Sequence, residues 1–184
     1  MPMNTTVYLG CDDSGFEMKQ AVKGLLDARG IRWVDCGSGE EPSRYPYYAA
    51  RVASAVAAGK ADRGILICGS GIGISIAANK FPGIRAAAVS DAYSARLTRS
   101  HNDSNILCLG GRMLGRWQAL EIVRVWLDTP YDGGHHQGSL DLLRQMESAM
   151  MNGTVIGPVV TPPESNATER KFWSEKAARA KITA

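Results

Sequence analysis

The chain has 184 residues, 45% of them hydrophobic and 21% charged, which excludes wholesale disorder and suits one domain of ordinary size plus an appendage. A net charge of only +3 argues against the strongly basic face that nucleic acid demands, and no apolar run is long enough to span a membrane. The opening MPMNTT lacks the basic and apolar stretches of a secretory signal, and the four cysteines form no C-x-x-C pair, so a reducing cytoplasm is expected, without a disulfide scaffold or a cysteine zinc site.

Taken from the N-terminus, Val7–Cys11 predicts a first strand, and Phe16–Arg29 a helix with Met18, Val22, Leu25 and Leu26 on one stripe. Ile31–Cys36 is the second strand, and the alanine-rich Tyr48–Ala58 a closely packed helix. Gly64–Cys68 is the third strand and runs into CGSGIGISIAANK (68–80), a glycine turn that opens a helix. Ile84–Val89 and Ile106–Gly110 complete five strands, with SHNDSN (100–105) at a helix end just before the last. Two further helices follow: Arg116–Asp128, with Trp117, Leu120, Val123 and Leu127 on one side, and Ser139–Met150, with Leu140, Leu143, Met146 and Met150. Residues 1–150 therefore read as one α/β domain. In 151–184, Asn152–Thr168 reads as a linker and Glu169–Ile182 as a short helix whose Phe172 and Trp173 are expected to dock on a neighbouring subunit.

Strands alternating with helices indicate a parallel, doubly wound sheet, and four of the five runs are nearly continuous in apolar residues, as in strands covered on both faces. Ligands of such sheets bind beyond the carboxyl ends of the strands. The loops to examine are Asp12–Gly15, Gly37–Tyr48, Gly69–Gly73, Ser90–Tyr93 and Gly111–Gly115.

Three stretches of the sequence carry candidate chemistry. Cys68 sits at a strand tip beside a turn in which Gly69, Gly71 and Gly73 let backbone amides approach an anion. That setting should lower a thiol below its usual value of about 8.5 and suits a proton-carrying thiolate, although a buried cysteine capping a strand fits the residues equally. The turn is not a phosphate-binding G-x-x-x-x-G-K-[ST] loop, because Ile74 and Ser75 stand where its Lys and Ser/Thr belong. A dinucleotide G-x-G-x-x-G would need glycine at Ile74, although Asp91 stands about 20 residues on, where a ribose-binding acid would. His101 is either an acid–base group or a helix cap stabilised by the dipole. Asp12 and Asp13 suit hydroxyls or a cation, and Asp13 equally suits a helix N-cap.

Taken together, GCDDSGF (10–16), Tyr45–Pro46, residues 62–87, residues 93–115 and YDGGHH (131–136) resemble the family of ribose-5-phosphate isomerase type B and galactose-6-phosphate isomerase, over about residues 7–145. The resemblance implies a three-layer, flavodoxin- or Rossmann-like α/β sandwich around a five-stranded parallel sheet of order 2-1-3-4-5. It also implies a homodimer or tetramer with active sites shared between chains, no metal and no organic cofactor. The reaction it implies interconverts an aldose and a ketose through a cis-enediolate. Cys68 is then the base, Ser70 with the turn Gly69, Gly71, Ile72 and Gly73 stabilises the oxyanion, and His101 opens the sugar ring. Asp12, Tyr45 and Asn102 contact hydroxyls, and Arg112 meets an anionic or polar end of the substrate.

The departures concern the far end of that substrate. Asp13 stands where the family usually has His, and His135 and Ser139 stand where its G-G-R-H-x-x-R pattern has two arginines. Neither residue reproduces a bidentate guanidinium–phosphate contact, and a carboxylate repels a phosphate dianion. Arg44 offers a relocated cation. Two alternatives therefore stand beside a sugar-phosphate isomerase: the same chemistry on an unphosphorylated sugar or sugar acid, and a non-catalytic subunit of a hetero-oligomeric isomerase.

Overall fold

A computed structural model of the protein describes residues 5–37 and 43–153. The chain divides into two compact units, Met1–Arg144 and Gln145–Ala184. The linker and the Phe172–Trp173 helix expected after residue 153 lie outside the described residues, as does 38–42 of the loop before the second helix.

Strands β1 (Thr6–Cys11), β2 (Arg32–Asp35), β3 (Arg63–Cys68), β4 (Ala86–Ala88) and β5 (Ile106–Gly110) form one parallel sheet. The helices are α1 (Phe16–Ala28), α2 (Tyr45–Ala57), α3 (Ile72–Ala78), α4 (Ala92–Ser100), α5 (Arg116–Asp128) and α6 (His136–Met151). α2 starts before its alanine-rich stretch because Pro46 occupies its first turn, where a missing N–H costs nothing. Asp91, the residue at ribose-acid spacing, caps α4 instead: its carboxylate accepts from the Ser94 amide at 2.7 Å and the Ser94 hydroxyl at 2.8 Å.

The sheet order is 2-1-3-5-4, which corrects the expected 2-1-3-4-5. β5 inserts between β3 and β4, pairing Gly64 with Ile106 through Cys68 with Gly110 on one side and Ala86 with Ile106 on the other. The physical reason lies in the side chains. Every residue of β5 (ILCLG) is buried, as an interior strand under helices on both faces requires. β4 is three alanines, none of them buried, and so short a strand of small residues suits an edge. Near-continuous burial accordingly holds for β1, β3 and β5 and fails for β2 and β4.

Alternation along the strands sends Leu9, Ile65, Ile67, Leu107 and Leu109 to one face, where they pack with Val22 and Leu26 of α1 and Ile122, Val123 and Trp126 of α5. Leu66, Cys68, Ile106 and Cys108 face the other layer, with Ala49 and Val52 of α2 and Ile74 and Ala78 of α3. The edge strand β2 is held by a charge cluster: buried Lys19 reaches Asp35 at 2.7 Å and Lys23 reaches it at 3.1 Å. Burial alone would raise the Asp35 carboxyl, but the bonds from Lys19, the Gly37 amide and Lys23 outweigh it and hold that group below the usual carboxylate value.

Candidate active site

The carboxyl edge of the sheet gathers one set of the expected residues. Three loops interlock there. The amide of Gly111 donates to the Cys68 carbonyl at 2.8 Å, the amide of Arg112 to the Gly69 carbonyl at 3.1 Å, and the amide of Asp12 to the Ile67 carbonyl at 3.3 Å. The approach is tight enough to dictate glycine. A Cβ on Gly111 would stand 2.6 Å from the Ser14 carbonyl oxygen, and Gly71 has φ +78° with a Cβ position 2.9 Å from the Leu109 backbone. Tyr45, at the start of α2, leans its ring on Gly73, whose Cβ would meet it at 2.9 Å. Arg112 and Ser14 lie against Gly69, and the Ser14 hydroxyl donates to Asp12 at 2.5 Å.

Cys68 lies at the centre of this edge with 4% of its surface open. The Gly71 amide donates to its Sγ at 3.2 Å, a bond that strengthens when the sulfur is ionised. The Ile72 amide turns to the Ser70 hydroxyl at 3.3 Å, so two amides of the turn serve the turn itself. Cys108, on the same face, is enclosed, and burial with Cys68 nearby pushes its thiol far up. A cavity of about 620 Å³ beside the cysteine loop is lined by Asp13, Ser14, Glu17, Arg112 and Arg116 among others. A smaller one of about 210 Å³ is lined by Ser70, Ile72, Ser90, Gly110 and Met113 among others.

His101, Asn102, His135 and Ser139 are somewhere else. α4 runs back from the carboxyl edge, so His101 at its end lies before the amino end of β5, and the α5–α6 connection returns His135 and Ser139 to that same edge. With Cys68 level with Gly110 and Gly64 level with Ile106, the strand length alone separates the two sets by about 13 Å at roughly 3.3 Å per residue. Within one chain, Cys68 and His101 lie at opposite edges of the sheet.

The amino-edge set is built with care. Asp103 has φ +46°, rare for a residue with a side chain, and two arginines hold it there. Arg85 reaches its carboxylate at 2.9 Å and the carbonyls of Asn102 and Asp103 at 3.0 and 2.8 Å. Arg99, nearly buried, reaches the other carboxylate oxygen at 2.8 Å. Substitution Asp103→Asn keeps a residue that tolerates positive φ but leaves Arg99 without its countercharge. It should cost about 2–3 kcal/mol in urea unfolding, and a cost under about 0.5 kcal/mol would remove this network from the account.

The sequence did not reveal what gathers around His101. Its ring stacks on His136 at 4.1 Å, His136 meets His135 at 3.8 Å, and Asp132 joins His101 and His136 with ligand atoms within 4.8 Å of one another. The available signal was that all three histidines of the chain fall in SHN and GGHH, two segments read separately as a ring-opening motif and an altered phosphate clamp.

Comparison with known proteins identifies the family. The sequence model of the Ribose/Galactose Isomerase family matches residues 7–143. Ribose-5-phosphate isomerase B of Escherichia coli is 48% identical over 142 residues, covering 77% of this chain and 95% of that protein. D-erythrulose-4-phosphate isomerase of Pectobacterium atrosepticum is 39% identical over 132 residues, covering 70% of this chain and 86% of the other. The structure of ribose-5-phosphate isomerase B from Clostridium thermocellum superposes with a TM-score of 0.78 at 44% identity, over 79% of this chain and 99% of that one. The glycine turn under Cys68, the loops locked around it and these likenesses lead to one conclusion: the chain belongs to the ribose/galactose isomerase family and is an isomerase.

Proposed function

We propose that the protein interconverts an aldose phosphate and a ketose phosphate in an active site assembled from two copies of the chain. Cys68 of one copy takes the proton from the carbon next to the carbonyl, giving a cis-enediolate, and returns it to the neighbouring carbon. No electrons leave the substrate, so the step needs no redox partner. His101 of the other copy opens the ring, with Asn102 beside it. The single observation that carries this reading is the placement of Cys68 and His101 on opposite edges of one sheet, which only a second chain can bring together.

The surface around Cys68 supports the pairing. Ile72, Ile76, Tyr93 and Met113 are each more than half exposed near the carboxyl edge. Large apolar side chains grouped in this way favour burial against a partner. The Gly71 amide already donates to the sulfur at the strand tip where the proposed base acts. Ser70 and the remaining turn are suited to the enediolate oxygen, where donors meet charge that grows only in the transition state.

The identity of the sugar turns on the far end. Arg112 and Arg116 offer two cations in the larger cavity, and Asp13 and Glu17 offer two carboxylates that oppose a dianion. This balance favours a phosphate ester held by Arg112 and Arg116, more loosely than by a pair of clamp arginines. The Asp13 carboxylate also supports a second reading, an unphosphorylated sugar or sugar acid. Incubating the purified protein in deuterated water with C4–C6 sugars and their phosphates decides between them. Exchange at C1 or C2 is expected with a phosphate, and Asp13→His should lower its KM by about tenfold with little change in kcat. Faster exchange in unphosphorylated sugars would establish the second reading, and exchange in no member of the panel would end both.

A further inference from the structure

We propose that His101, Asp132 and His136 form a binding site for a borderline divalent transition metal, Zn²⁺ or Co²⁺, and that occupancy switches the isomerase off by withdrawing His101. The binding itself rests only on the geometry described, whereas the inhibition rests on the assignment of ring opening to His101.

All three histidines of the chain converge at one corner of the fold. Two imidazoles and one carboxylate are the donors that zinc-type ions prefer, and three protein ligands leave a fourth position for water or a substrate oxygen. The ligand atoms of His101, Asp132 and His136 already lie within 4.8 Å of one another. Tetrahedral coordination with bonds of about 2.0–2.1 Å needs separations of roughly 3.3 Å, so closure takes about 1.5 Å at most. Asp132 is exposed and both imidazoles are only partly covered, which leaves room for that rotation. The His101 and His136 rings are inclined by only 18°, and tilting them apart turns both nitrogen lone pairs toward one point.

The backbone is braced for this. The ligands come from two segments about 30 residues apart in sequence, and the Asp132 amide donates to the Ser100 carbonyl at 3.0 Å, tying the α5–α6 connection to the end of α4. A ligand whose backbone is already fixed loses little freedom when the ion arrives. Two helix ends meet there with opposite effects: the α4 carboxyl end favours a cation and the α6 amino end disfavours it. Asp132 then decides the sign in favour of the cation. His135 packs its ring against His136 at 3.8 Å, which restrains the second imidazole.

The test uses the full-length, tag-free protein, titrated with Co²⁺ and followed by its visible d–d absorption, with Zn²⁺ as competitor. The expected result is one Co²⁺ per chain, with affinity about tenfold weaker or worse in both Asp132→Asn and His136→Gln. Cys68→Ser should keep the wild-type spectrum, since sulfur takes no part. Zn²⁺ should abolish turnover reversibly to a chelator, and Asp132→Asn should need about tenfold more Zn²⁺ for the same loss. If the two variants bind Co²⁺ as tightly as the wild type, the site is refuted whatever the activity does. If the metal binds through these residues and turnover continues at full occupancy, the site stands and ring opening by His101 is overturned.

Discussion

Replacing Cys68 with serine lowers turnover by about three orders of magnitude while leaving the unfolding midpoint close to that of the parent protein. The substitution keeps a small polar side chain at the strand tip, and the Gly71 amide keeps an acceptor. What disappears is the sulfur, and a thiol is inherently a far stronger acid than a hydroxyl. A hydroxyl is far too weak an acid to serve as the base, and general acid–base catalysis by one side chain is worth roughly two to four orders of magnitude. Cys108 is the internal contrast, because it lies on the same face of the sheet but is fully enclosed with its thiol pushed up. Cys108→Ala should therefore stay within about threefold of parent turnover, since it removes packing and no chemistry. Initial rates with the best substrate of the exchange panel measure both, and a serine variant retaining more than about a tenth of parent turnover would show that another group moves the proton.

The second large effect is on stability. Trp126→Ala should destabilise the protein by about 3–5 kcal/mol, the usual result of removing a large aromatic from a closed core. Trp126 has no exposed surface, packs in the layer formed with α1 and α5, and sits 5.1 Å beneath the Arg63 guanidinium. Its indole N–H donates to the Ser104 hydroxyl at 2.8 Å, inside the segment that carries His101. Trp126→Phe separates the contributions, keeping most of the apolar volume and losing one hydrogen bond, for a cost of about 1–2 kcal/mol. Urea unfolding at fixed protein concentration measures both. An alanine variant within about 1 kcal/mol of the parent would show that α5 is not held to the sheet by this residue.

Much of the architecture is legible in the sequence because β1, β3 and β5 are apolar almost throughout, and a run bounded by glycine and polar residues can hardly be anything but a covered strand. The exchange of β4 and β5 is not legible, because the expected order comes with the flavodoxin-like resemblance and the strand patterns do not override it. The decisive clue, three alanines against ILCLG, speaks about burial and not about order. Half of the site was legible for a similar reason. The glycines at 69, 71 and 73 lie in one turn, so the sequence places them around Cys68 without help from the fold. His101 is a different case. It precedes Gly110 by only nine residues, yet β5 lies between them and carries the chain to the far edge of the sheet. His136 lies beside His135, and nothing in the local sequence GGHH pairs it with His101. Its approach to His101 depends on the return of the chain after α5, which no local pattern encodes.

The most direct test of an active site built from opposite edges of two chains is subunit complementation. Cys68→Ala and His101→Asn are purified separately, each inactive, then mixed in equal amounts under conditions that allow exchange and assayed against the parent protein. In a dimer, half of the molecules become hybrids, and each hybrid has one site with both groups intact, so about one quarter of parent activity should return. If hybrids form, as native mass spectrometry would show, and activity stays at the level of the separate variants, Cys68 and His101 do not meet across chains and the two-copy site is wrong.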